Sequence, residues 1–78
     1  MRAARLNSAM IERICFDDEA RTLEVRFRGG DSYVYHEVPA DIYEGLKAAD
    51  SAGRYFNERV KGRFRCVPSR RKFRPQAA

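Results

Sequence analysis

Leu23, Val25 and Phe27 alternate with Glu24, Arg26 and Arg28, the period-two pattern of a strand with one buried face. Gly29-Gly30-Asp31 follows and supplies the positive-φ residues of a tight hairpin. Tyr33 to Val38, β-branched and aromatic, is therefore predicted to pair back antiparallel. Ser8 to Phe16 fits a preceding strand, with Ile11, Ile14, Cys15 and Phe16 in imperfect alternation, and Asp17-Asp18-Glu19 makes the turn between. Residues 1–7 show no periodicity and read as a flexible end.

Pro39 ends the sheet, because it has no N–H for a ladder and its fixed φ suits a helix start. Over Ala40 to Ala49, Ile42, Leu46 and Ala49 form one apolar stripe at helical spacing, with Asp41 and Glu44 near the positive end. Ser51 offers a side-chain cap for a second helix from Ala52, in which Phe56 and Val60 face the core together and Gly62 closes the end. Arg63 to Val67 reads as a short extended piece, and residues 68–78 as a basic disordered tail. The expected fold is α+β: a three-stranded antiparallel β-meander followed by two short α-helices, with one domain spanning residues 8–67.

Seventy-eight residues suffice for one domain, with a stability on the order of 5 kcal/mol. There is no apolar run long enough to span a membrane and no apolar stretch after the N-terminal arginines to make a secretory signal, so the expected location is cytoplasmic. Cys15 and Cys66 are read as small, half-buried apolar residues, with a Cys15–Cys66 bridge as the alternative; with His36 they fall short of a zinc set. No cofactor is implied.

Charge changes the picture more than size does. From Arg54 to Arg74 there are nine basic residues and one acid, Glu58, a net +8 against +5 for the whole chain, so the remainder carries −3. Tyr55, Phe56, Phe64 and Phe73 are interleaved with these cations. A surface polarised in this way points to a phosphate-bearing or acidic partner, and rings beside guanidiniums suit nucleic acid.

Tyr33-Val34-Tyr35, Val38-Pro39, Tyr43, Leu46 and the block from Asp50 to Asn57 (Asp-Ser-Ala-Gly-Arg-Tyr-Phe-Asn) resemble the KTSC domain family. The family is named for a domain at the C-terminus of some lysyl-tRNA synthetases and also occurs as small free-standing proteins in bacteria and phages. Its central mark is Tyr-x-Tyr. The resemblance covers about Ser8 to Val67. It implies an RNA-related role and carries over no catalytic residue.

Tyr33 and Tyr35 share one face of their strand. On an open sheet face, with Arg26 and Arg28 beside them, they would make a base-stacking platform; with the other register they become core. Arg54, Asn57, Arg59, Lys61, Arg63 and Arg65 are candidates for phosphate and base-edge contacts from the second helix and its exit. Arg70, Arg71 and Lys72 would add non-specific affinity from the tail. His36 lacks an evident orienter or nucleophile and reads as structural, and Asp17-Asp18-Glu19 as a turn rather than a cation site. The chain is thus expected to be a small non-catalytic module binding RNA or another polyanion. The alternative is a protein-interaction module, of phage or mobile-element origin, docking on an acidic host protein.

Overall fold

The computed structural model describes residues 1–69, so Arg70, Arg71 and Lys72 lie outside the described residues. Five strands, β1 (Arg2–Arg5), β2 (Ile11–Asp17), β3 (Thr22–Phe27), β4 (Ser32–Tyr35) and β5 (Cys66–Pro68), form one antiparallel sheet in the spatial order of their numbering. Helices α1 (Ala40–Ala48) and α2 (Ala52–Arg59) lie in sequence between β4 and β5. The α+β class expected from the pattern holds, with five strands instead of three.

The central hairpin forms where the glycines put it. The Phe27 amide donates to the Asp31 carbonyl at 2.8 Å, and Gly30 takes φ +102°, a conformation that costs glycine little. Ser51 caps α2 by accepting the Arg54 amide at 3.3 Å. Beyond Val60, Gly62 turns the chain at φ +76°. Leu23 and Val25 of β3, Ile11, Ile14 and Phe16 of β2, and Tyr43, Leu46, Phe56 and Val60 from the helical layer are buried in one core. The helices cover one face of the sheet, and among the described residues no helix lies on the other.

Both additional strands lie at sheet edges. Residues 1–7, expected to be a flexible end, contain β1, paired with β2 from Arg2↔Phe16 to Arg5↔Arg13. Its sequence, Arg-Ala-Ala-Arg, has no strand pattern of its own; Arg2 ties it down. The Arg2 guanidinium bonds Asp18 at 2.8 Å and Glu44 at 2.6 Å and lies 5.6 Å and 5.1 Å from the Phe16 and Tyr43 ring centroids. At the opposite edge β5 pairs with β4, and the Ser69 amide still donates to the Ser32 carbonyl at 2.8 Å. Ordered structure therefore extends past Val67, where a tail was expected to begin.

Register also settles the cysteines, both of which are free thiols. Cys15 lies opposite Glu24, on the face away from the helices, whereas Cys66 lies opposite Tyr35, on the covered face. Three strand spacings separate them, about 14 Å at the usual 4.7–4.9 Å per strand, twice what a disulfide tolerates between Cα atoms.

Candidate functional site

Tyr33 stands directly opposite Val25, and Tyr35 directly opposite Leu23. Direct partners share a face, and Leu23 and Val25 are fully buried, so the tyrosines point towards the helices. The open-face stacking platform is not what forms: Tyr35 is core and Tyr33 packs half-buried against it. Arg26 does lie on the open face, opposite Ser32. Arg28 belongs to neither arrangement. Its guanidinium donates to the carbonyls of Ser8 at 2.7 Å and Leu6 at 3.1 Å, bracing the segment between β1 and β2.

On the covered face the tyrosines join a chain of rings. Tyr33 meets Phe27 at 6.1 Å between centroids, Phe27 meets Phe56 at 5.4 Å, and Phe56 meets Tyr35 at 5.6 Å, with interplanar angles of 69°, 81° and 79°. These near-perpendicular arrangements set ring edges against ring faces, the favoured geometry for aromatic pairs. The rings, with Met10 and Cys66, wall an apolar cleft of about 270 Å³, and Asn57 and Lys61 also line it. Four residues expected at a binding site from sequence (Tyr33, Tyr35, Asn57 and Lys61) thus line one cleft. Burial, with Cys66 and then Tyr33 nearby, pushes the Tyr35 phenol up to about 12, so it is neutral at physiological pH.

The cations of α2 and its exit occupy the surface beside this cleft. Arg54, Arg59, Lys61, Arg63 and Arg65 are all exposed, and Glu58 is the single acid from Ala52 to Ser69. Arg59 lies 5.7 Å from the Tyr55 ring centroid, and Arg63 donates through Nε to the Glu58 carbonyl at 3.1 Å, closing the end of α2. Arg63 and Arg65 also line a second hollow of about 390 Å³ with His36, Glu37 and Phe64. No ion pair involves these five cations among the described residues. Nor do any three His, Cys, Asp or Glu side chains gather there as a metal site would require.

The cleft is walled by the residues that carried the resemblance, Tyr33 and Tyr35 from one motif and Phe56 and Asn57 from the other. Comparison with known proteins agrees: the KTSC domain model matches residues 7–64. The chain belongs to the KTSC domain family. Among solved structures, that of a KTSC domain protein from Yersinia pestis superposes with a TM-score of 0.83 at 32% identity, covering 87% of this chain and 96% of that one. A protein of Tsukamurella paurometabola is 44% identical over 62 residues, 80% of this chain and 92% of its own length. A lysine–tRNA ligase of Nostoc punctiforme is 33% identical over 57 residues, which are 73% of this KTSC chain but 10% of the ligase.

Sequence reasoning missed three contributors to these surfaces. Phe27 and Met10 both fall in segments that the pattern reads as strands, with nothing to mark them as cleft walls. Cys66 falls in the extended piece expected over Arg63 to Val67 and was expected half-buried; it is exposed, and its alignment with Tyr35 becomes visible only once β5 pairs with β4.

Proposed function

We propose that this KTSC protein is a non-catalytic RNA-binding module. In this reading the phosphate backbone runs along Arg54, Arg59, Lys61 and Arg65, and an unpaired base enters the aromatic cleft. The observation that carries it is the junction of the two surfaces at α2: Asn57 and Lys61 line the cleft among the rings, while α2 and its exit hold exposed cations with one acid between them. Stacking on aromatic rings contributes about 1–3 kcal/mol per base and tolerates any base. The Asn57 amide adds a donor and an acceptor for a base edge. At about 270 Å³ the cleft lies just below the roughly 300–1,000 Å³ typical of small-molecule sites, a size that suits one ring system. Similarity to a tenth of a lysine–tRNA ligase supports RNA as the polyanion.

The test is a titration of labelled tRNA and single-stranded RNA from about 50 mM salt upwards, where phosphate contacts are strongest at the low end. Arg59→Glu with Lys61→Glu should abolish binding while the fold persists. Arg63 is left in place because its Nε holds the Glu58 carbonyl. No binding of either RNA at low salt defeats the proposal. So does recovery of one stoichiometric acidic protein that survives nuclease treatment, since that favours a protein partner.

A further inference from the structure

The sheet face turned away from the helices carries a row of arginines. Arg5 of β1 lies opposite Arg13 of β2, and Arg13 lies opposite Arg26 of β3 across a bulge that begins after Ile11. Ser32 of β4 ends the row. Direct cross-strand partners hold their Cβ atoms about 4.5–5.5 Å apart, and like charges there destabilise the sheet.

None of the three arginine side chains forms a hydrogen bond or ion pair with a described residue, unlike Arg2, whose guanidinium makes three hydrogen bonds, and Arg28, whose guanidinium makes two. Carboxylates on the same face are occupied elsewhere. Glu24 accepts the Ser69 hydroxyl at 2.9 Å, and Asp17 accepts the Glu19 and Ala20 amides at 3.0 Å and 3.2 Å. Glu12, beside Arg13 in the bulge, makes no ion pair with any of them.

We propose that Arg5, Arg13 and Arg26 form a second phosphate-binding surface, for the backbone of an RNA strand, on the side of the sheet opposite the α2 cations. The proposal rests on the RNA-binding reading given above. Guanidinium forks match phosphate oxygens two at a time, and an anion laid along the row would relieve the repulsion that the register imposes. The neighbours of the row favour a backbone over a protein partner. Ala3, Cys15 and Ser32 are small, and every Phe and Tyr in the five strands faces the helices or the core beneath them, so among the described residues of the sheet no ring stands beside the row to anchor a protein. Contacts of this kind carry no base preference.

The experiment is fluorescence anisotropy of the full chain with labelled oligouridylate and oligoadenylate across a salt series. Arg13→Ser with Arg26→Ser should lower the magnitude of the log–log salt slope by about 1.4, at roughly 0.7 per lost phosphate contact on a single strand, equally for both sequences. The same variant should show an unchanged or raised urea midpoint, because a like-charge pair has been removed. Should it fold poorly, Arg5→Ser on the exposed edge strand replaces it, with an expected drop of about 0.7. If the wild type binds and the slope is unchanged in these variants, while Arg54→Ser with Arg59→Ser weakens binding, the row is not a phosphate surface and the RNA reading stands. Failure of the wild type to bind either RNA at about 50 mM salt removes both. Capture of an acidic protein that depends on Arg13 and Arg26 and persists after nuclease treatment overturns RNA as the occupant.

Discussion

Replacing Phe56 by alanine strikes a side chain of α2 that packs on both β3 and β4. Phe56 is 4% exposed and packs edge-on against Phe27 at 5.4 Å and Tyr35 at 5.6 Å. Truncating a buried phenylalanine costs about 3–5 kcal/mol, transfer and cavity terms together. Here the space left behind joins a cleft of about 270 Å³ that already opens to solvent, so water relieves part of the cavity term and about 3 kcal/mol is expected. Against a total stability on the order of 5 kcal/mol, that leaves a marginal domain. With a urea m-value of about 1 kcal/mol/M, the midpoint should fall by about 3 M at constant m. Phe56→Leu keeps most of the buried volume and gives up both ring contacts, so it should lose about 1–2 kcal/mol. Urea unfolding followed by circular dichroism measures both variants. A Phe56→Ala midpoint within roughly 1 M of wild type, with m unchanged, would show that α2 is not held by this contact.

Three further outcomes are expected. The Tyr35 phenol sits at about 12 against an ordinary 10.0, so folding favours its protonated form; that stabilisation is fully present below pH 10 and is lost as pH rises towards 12, and alkaline unfolding of Tyr35→Phe should lack this component. Gly45 lies beneath the Tyr55 ring and hydroxyl, which a Cβ there would displace; Gly45→Ala should therefore not deliver the roughly 1 kcal/mol of helix propensity it otherwise would, and should deliver it in a Tyr55→Ala background, as paired thermal melts would show. Arg2→Met should strip hydrogen-exchange protection from the β1 amides while leaving β3 protected, because the ion pairs to Asp18 and Glu44 hold that edge.

What could be read from the chain was what local chemistry decides. The β2–β3–β4 core, the glycine hairpin, the helix start after Pro39 and the Ser51 cap each depend on residues close in sequence, and each appears in the structure, although β4 ends at Tyr35 and does not run to Val38. The edge strands depend on distant partners. Arg2-Ala3-Ala4-Arg5 becomes a strand through Asp18 and Glu44, sixteen and forty-two residues away, and Cys66–Pro68 through pairing with Tyr33–Tyr35. The direction of the tyrosines turned on register, which the Val25↔Tyr33 pairing decides. In sequence Arg5 and Arg13 are isolated basic residues in a part of the chain that is net acidic. They become neighbours only when β1 docks, so the signal for the arginine row was the missing strand itself.

The two outer strands also govern how the sheet meets other molecules. β1 has four residues and an arginine at each end; β5 has three and finishes in Pro68, which has no N–H to offer a neighbouring strand. Short, charged and proline-ended borders are the means by which natural sheets refuse to be extended. A passing β-segment, whether from another copy or from an unfolded chain, finds little ladder to continue at either side. The protein is thus protected against runaway strand-on-strand growth, and its broad surfaces are left as the places where association can occur.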